Sequence, residues 1–482
     1  MNNLINLPFL FLFVPLLISG FHSFQYFRIT NLFIDISVLL FIILLSLYLI
    51  PDVIREGTLI NRIDINSYFI IDGYKINILT LSYMILIFSL RLLCVFLYRK
   101  SLDQRHANLI FAIYAIGYFS ICGILITNNI VSLFIYLEIY SISVYTIISN
   151  YREKESLSIG YIYYVNNFVG STIFLLFFIV LYSIFSLTNI SDIYEKISTV
   201  NNNFLYNSLF FVFLLSLYLK FFSIIMFFKG AKRMSSILFY NILFINFLIG
   251  SYLILKFLPV FNLQSNLILT HVICFFISIL IIHSSIELCL KNNLISGFKN
   301  IFIIFAGHLF ILSTMTGSHS NIAYLSTTFN CIIVMFFYYL IVSSLSETYN
   351  VYSTPIFALF VKHRYFIYFI IFSLIGFPIC FGFTANYNYL MSIIEDKKYY
   401  LLFVFLVEKI SFIIYLYKFN FIFTRPLKDY SEYIKLDMSL YKNKMEFFMV
   451  LFLFVFIIIL SLLDINFGLF YNGNNNYGIK LI

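Results

Sequence analysis

The chain has no tryptophan, and only 11% of its 482 residues are charged. Soluble domains carry roughly a quarter charged residues, and a disordered chain needs few apolar side chains with a high net charge, so neither class fits. Metal chemistry finds no support. The six cysteines, at positions 94, 122, 274, 289, 331 and 380, lie scattered in apolar runs, with no CxxC pair and no Cys/His spacing suited to zinc or an iron–sulfur cluster. They read as small core hydrophobes. No Gly-rich phosphate loop of the GxGxxG or Walker kind occurs, which argues against nucleotide chemistry in this chain.

What is present is apolar: 62% hydrophobic residues, among them 62 Phe and 39 Tyr. No single water-soluble core holds so much apolar side chain, so the sequence reads as an all-α polytopic membrane protein. The excess of Phe, Ile, Asn and Tyr also follows from A+T-rich codons, a mutational bias that supplies aromatics without a functional demand. Fourteen apolar stretches are long enough to cross a bilayer of about 30 Å, at 7–22, 31–50, 77–97, 107–126, 129–149, 161–187, 204–228, 236–259, 267–290, 301–318, 321–345, 366–391, 399–424 and 446–464. No linker is long enough to set apart a soluble domain. The longest connections, around 51–76 and 425–445, leave room for short surface helices.

Of the 30 Lys and Arg, 18 lie in loops that follow odd-numbered spans, 7 in the other loops and the C-terminus, and 5 inside spans. The acidic residues show no comparable bias. Because basic residues are retained on the side of synthesis, both termini are expected to face away from the cytoplasm or organelle matrix. The net charge of +9 follows this membrane rule, and no nucleic-acid partner is expected. The N-terminus, Met1-Asn2-Asn3-Leu4-Ile5-Asn6, lacks the Arg- and Ser-rich amphipathic character of a transit peptide. A hydrophobic protein made inside its own compartment has this appearance, as does a bacterial inner-membrane protein.

An ionisable group at bilayer depth costs about 2.5–3.5 kcal/mol on insertion scales, so each one needs a reason. Asp35, Arg91, Glu287 and Lys418 stand close enough to span ends to snorkel. Glu408 and Lys409 are adjacent and offset each other. Lys256, three residues before Pro259, either snorkels or takes part in chemistry. Glu138 and Lys220 are different, because each lies deep in its span. A buried acid and base that lose their partner titrate far from their solution values, as a proton carrier requires; the alternative is a static ion pair that locks the helices. His308 is a lone intramembrane imidazole, either a hydrogen-bonded core histidine or a relay. In Ser373-Leu-Ile-Gly-Phe-Pro-Ile-Cys-Phe-Gly-Phe-Thr-Ala-Asn386, the mid-span Gly376, Pro378 and Gly382 predict a broken helix. Its freed backbone groups must find protein partners or line a polar cavity, and Asn386 follows the break with a neutral donor and acceptor.

These segments resemble the antiporter-like membrane subunits of respiratory complex I, over roughly residues 110–425. Asn129 to Tyr145, with Glu138, is similar to the family's glutamate-bearing fifth helix, and Tyr163 to Ser171 resembles the start of the sixth. Tyr218-Leu-Lys220-Phe-Phe resembles the broken seventh helix, and Lys299 to His308 the tenth. Ser373 to Pro378 followed by Gly382-Phe383 is the most specific likeness, to the broken twelfth helix; Ser411 to Lys418 resembles the thirteenth. The branch most resembled is chain 2 of NADH–ubiquinone oxidoreductase, with chain 4 the rival through Asp72-Gly73 and Gly170-Ser171. Further lysines of the family are replaced, at Ile162, at Asn246 or Phe247, and at Asn386. The usual Pro, His and Trp after the seventh-helix lysine are Ile225, Phe227 and Phe228.

The resemblance implies about fourteen helices with two inverted five-helix repeats and broken helices 7 and 12. The segments would be an N-terminal three-helix part (1–106), a first repeat (107–260), a second repeat (261–424) and a loop with helix 14 (425–482). It implies a proton-translocating, non-redox subunit in the membrane arm of NADH:ubiquinone oxidoreductase in the mitochondrial inner membrane, organelle-encoded, with its termini on the intermembrane-space side. This chain would hold no cofactor; NADH, FMN, iron–sulfur clusters and ubiquinone belong to partner subunits. Its partners would be other membrane-arm and accessory subunits and phospholipids, cardiolipin among them. The implied proton path comprises Glu138, Lys220, Lys256, His308 and Asn386. With Glu138 near, Lys220 keeps its proton; with Glu138 drawn away, the proton leaves toward His308 or water. The alternatives are a structural membrane-arm subunit that no longer pumps and a stand-alone cation/proton antiporter.

Overall fold

The structure, a computed structural model, describes residues 7–24, 28–56, 58–64, 70–98, 107–149, 154–197, 203–222, 236–258, 267–290, 294–315, 317–346, 372–378, 380 and 382–424. The expected fourteenth span, the 425–445 connection, and Ile225, Phe227 and Phe228 lie outside these residues. In each of the other thirteen expected spans the described residues are mainly helical, interrupted in the twelfth, and the chain is a helical membrane protein. Its contacts divide the chain into two units, residues 1–265 and residues 266–478.

The first unit begins with α1 (Leu7–Phe24) and α2 (Arg28–Glu56), followed by α3 (Ile78–Tyr98), α4 (Ala107–Ile126), α5 (Ile130–Ser149) and α6 (Lys154–Phe185). A short α7 (Ile190–Ile197) and α8 (Asn203–Leu217) follow, then a π-helical turn, Tyr218–Phe222, and α9 (Ser236–Phe257). The connection at 51–76 holds no separate surface helix among the described residues, 51–56 being the end of α2. It forms an antiparallel hairpin of β1 (Leu59–Asp64) and β2 (Ile70–Ile76), with Leu59 opposite Ile76 and a bulge between Asn61 and Ile63. Leu59, Ile60 and Ile63 would suit a helical face as well, so over so short a run the period does not decide. The β-branched isoleucines suit an extended chain, and pairing with Ile70–Ile76 fixes it. Thr127 pairs with Tyr74 of this hairpin and Asn129 with Asn189, so the α4–α5 corner is stitched to both.

Lipid tails give no hydrophobic drive for helices to associate, so van der Waals contact must hold them. Here it comes from phenylalanine. Phe174 and Phe177 of α6 meet Phe213 of α8 at ring separations of 6.0 and 5.1 Å, and Phe213 meets Phe257 of α9 at 5.0 Å. Each such ring pair contributes about 0.5–1.5 kcal/mol beyond area burial. Together they fasten α6, α8 and α9 one to two turns from the π-turn.

The second unit consists of α10 (Leu267–Leu290), α11 (Leu294–Leu312), α12 (Ser318–Ser346), α13 (Gly382–Glu395) and α14 (Tyr400–Thr424). α10 packs against α11 and α14, and α12 packs against α11 and α13. The polarity of α10 is inverted relative to a helix in a soluble domain. Val272, Phe275, Phe276, Ile279 and Leu280 form an exposed stripe at helical spacing, while Thr270, Ser278, Ser284 and Ser285 are buried. An apolar outside and hydroxyls inside are what a lipid solvent selects. Among the described residues, Leu32–Arg55, Ile130–Ser149, Gly160–Phe185 and Thr270–Leu290 are long and apolar enough to span a membrane.

Candidate functional site: two buried ion-pair clusters

In the first unit, α5 starts at a defined cap: the Asn129 side chain accepts the Val131 amide at 2.8 Å. About two turns later it presents Glu138 to Lys220 on the π-turn. Lys220 Nζ lies 2.6 Å from Glu138 Oε1 and donates to Ser171 Oγ on α6 at 2.6 Å. The partners are unequal, because the lysine side chain is 1% exposed and the glutamate 35%. Gly170 permits this closeness; a Cβ there would stand 3.0 Å from the backbone nitrogen of Lys220 and 3.2 Å from the Ser216 carbonyl. Of the positions where the resembled family has further lysines, Asn246 is buried and accepts from Tyr140 at 2.7 Å, whereas Ile162 is exposed.

Lys256 stands apart from this pair. It donates to the carbonyls of Ile124, at 3.2 Å, and Thr127, while Tyr252 donates to that of Leu125. The C-terminal end of α4 is thus capped by two side chains of α9, where a cation also complements the helix dipole. Replacing Lys256 by Met is expected to cost about 2 kcal/mol of stability, read as a lower melting temperature. Loss of transport without that drop would place Lys256 in the proton path instead.

Asp35 and Arg91 do not snorkel. Both are buried, with Arg91 Nε donating to Tyr118 Oη at 2.7 Å and Tyr118 Oη donating to Asp35 Oδ2 at 3.4 Å. The guanidinium also lies 3.6 Å from the centroid of Tyr114. Two tyrosines of α4 give the charges partners that no span-end argument foresees.

The second unit gathers its cluster at the broken helix. Residues 372–375 are helical, the helix stops at Gly376, whose φ is 90°, and α13 starts again at Gly382. The interruption frees carbonyls, and two are taken up by side chains: Lys409 Nζ donates to Leu374 O at 2.9 Å, and Asn386 Nδ2 to Ile375 O at 3.3 Å. Lys409 Nζ further donates to Asn386 Oδ1 at 3.0 Å and to Glu408 Oε1 at 2.9 Å. The other Glu408 oxygen stands 2.6 Å from His308 Nε2, in contact but outside hydrogen-bond alignment. His308 stacks on Tyr389 of α13, with 4.5 Å between ring centroids.

The five expected proton-path residues therefore fall in three places. Glu138 and Lys220 meet, His308 and Asn386 are joined through Glu408 and Lys409, and Lys256 caps α4. Sequence reasoning missed the part played by Glu408 and Lys409. The pair does lie 2.9 Å apart, but successive helical residues point about 100° apart, so two adjacent charges in mid-span ask for separate partners as well. Among the described residues no group of His, Cys, Asp and Glu is arranged to hold a metal ion.

No protein-family model matches the chain, and no curated protein matches its sequence. Solved structures do match its fold. A chain of the Mrp complex from a Dietzia species superposes with a TM-score of 0.72 at 14% identity, covering 88% of this chain and 80% of its own. A chain of the membrane-bound sulfane sulfur reductase, an archaeal respiratory membrane complex, gives 0.73 at 14% identity and covers 95% of each. The protein shares its membrane fold with subunits of multi-subunit membrane complexes of this kind.

Proposed function

We propose that the chain is an antiporter-like, proton-translocating and non-redox subunit in the membrane arm of a complex I-type respiratory assembly. The observation that carries this is Lys220, a buried lysine on a π-turn, held by Glu138 and Ser171. π-turns inside helices recur at functional sites, and an intramembrane ion pair is costly to keep unless it is used. Lys220 retains its proton while Glu138 stands beside it and yields it when the two are drawn apart. Electron transfer would occur in partner subunits that hold NADH, FMN, iron–sulfur clusters and ubiquinone. The likeness to a chain of a respiratory membrane complex supports this reading at the level of fold.

At finer grain, we assign the chain to the chain 2 branch and to the mitochondrial inner membrane, with both termini on the intermembrane-space side. Residues 107–260 and 261–424 would be the two repeats, and other membrane-arm subunits, accessory subunits and cardiolipin-containing lipid the partners. Mildly solubilised membranes, run on a native gel and stained for NADH dehydrogenase activity, test the assignment. Peptides such as Tyr430 to Lys442 are expected in the active band. If the chain runs in a small complex and the active band lacks it, the respiratory assignment fails and a stand-alone antiporter takes its place.

A further inference from the structure

We propose that Glu408 and Lys409 form a second proton-carrying pair, loaded through His308, at the broken helix of the second unit. This rests on the translocation reading above and adds to it a site of its own. The hydrogen-bond inventory of Lys409 is the key. Its ammonium has three N–H groups and three acceptors within 3.0 Å: one charged, Glu408 Oε1, and two neutral, Leu374 O and Asn386 Oδ1. A neutral amine has two N–H groups, and the two neutral acceptors match them. Both protonation states of Lys409 therefore satisfy the carbonyl freed by the break. A lysine serving only as structural glue has no need of an acceptor set that fits its neutral form.

His308 supplies the entry. Its Nε2 lies 2.6 Å from Glu408 Oε2, and both atoms lack an aligned hydrogen bond among the described residues. A proton taken up by the imidazole passes from Nε2 to Oε2, which leaves a neutral histidine and a neutral carboxyl group. The ammonium of Lys409 has then lost its counter-charge and releases one proton, becoming the amine. One proton enters at His308 and one leaves at Lys409, and reprotonation of the amine with loss of the carboxyl proton resets the pair. The titratable and polar groups in contact here are His308 on α11, Asn386 and Tyr389 on α13, and Glu408 and Lys409 on α14.

Two substitutions separate proton carrying from glue. Lys409→Gln keeps a neutral donor for the Leu374 carbonyl, and Lys409→Arg keeps charge and donors but does not give up a proton near neutrality. In assembled complex, proton translocation per NADH oxidised is expected to fall at least tenfold in whichever of the two assembles. Asn386→Lys in the Lys409→Met background should restore part of it, since residue 386 already touches the Lys409 ammonium. Wild-type translocation in either assembled variant overturns the proposal and leaves a structural cap on the break. Lys220→Met, measured alongside, distinguishes the two failures: if it too translocates normally, the translocation reading has failed; if it alone is defective, only the second pair has.

Discussion

Lys220→Met is expected to give an assembled protein whose proton translocation is lower by at least tenfold. Methionine matches the length of the lysine stem and fills the same space beside α6. The substitution removes a charge buried to 1% exposure and leaves Glu138, at 35% exposure, as the uncompensated partner. Removing one partner of a fully buried pair is costly, but the charge left behind here is the partly exposed one, so the loss should appear in transport more than in assembly. Glu138→Ala is the opposite case. Among the described residues it leaves the ammonium of Lys220 with the Ser171 hydroxyl alone, and breaking a buried pair from that side costs about 3–5 kcal/mol. Translocation is read from dye quenching in membrane vesicles, normalised to assembled complex. Normal translocation in assembled Lys220→Met would reduce the pair to a lock between α5 and the π-turn.

Gly382→Ala is expected to remove the folded protein altogether. The new Cβ would fall on the backbone carbonyl of Ser373, with the Ser373 hydroxyl 3.0 Å away. Ser373 is itself fixed, because its Oγ donates to Asn330 Oδ1 on α12 at 2.7 Å. A flexible side chain gives way to an added methyl, but a carbonyl inside an interrupted helix moves only with the interruption. The cost should exceed about 3 kcal/mol, seen as loss of the protein from membranes and a melting temperature too low to measure. A stable Gly382→Ala protein would mean that α13 does not return so closely to Ser373. Gly376→Ala also meets a barrier, a backbone φ of 90° that L-residues avoid, and loses less because the nearest atoms in its way belong to the Asn386 side chain and not to backbone.

Much of the fold is legible in the sequence because the bilayer constrains it. With no water to satisfy the backbone, an apolar run of about 20 residues has few forms other than helix. The break between Ser373 and Asn386 is legible for the same reason, since Gly376, Pro378 and Gly382 cannot continue a helix in lipid without a purpose. The π-turn is not. Tyr218-Leu-Lys-Phe-Phe222 contains neither Pro nor Gly, and an extra residue in a turn leaves no mark on the apolar period. Arg91 was misplaced because its partners, Tyr114 and Tyr118, belong to another helix, and inter-helix partners do not follow from one sequence. The β1–β2 hairpin was hidden by its brevity: Leu59, Ile60 and Ile63 suit a helical face as well as a strand, and the pairing with Ile70–Ile76 that decides is not written in either segment alone. Glu408 and Lys409 were set aside as self-cancelling, which overlooks the third group each one also touches.

The corner between α4 and α5 decides which half of the first ion pair can move. Thr127 is bridged to Tyr74, Asn129 to Asn189, and the amides of Ile130 and Ile190 donate to Thr188 and Asn128 at 2.9 Å each. α5 is therefore clamped at its first residue, two turns from Glu138, and cannot slide along its axis without tearing this seam. The lysine sits in a π-helical turn, whose wider winding holds about one residue more than an α-helical turn. In mechanical terms the carboxylate is the anvil and the ammonium the hammer, and the stroke of the device is set by one turn of backbone around residue 220.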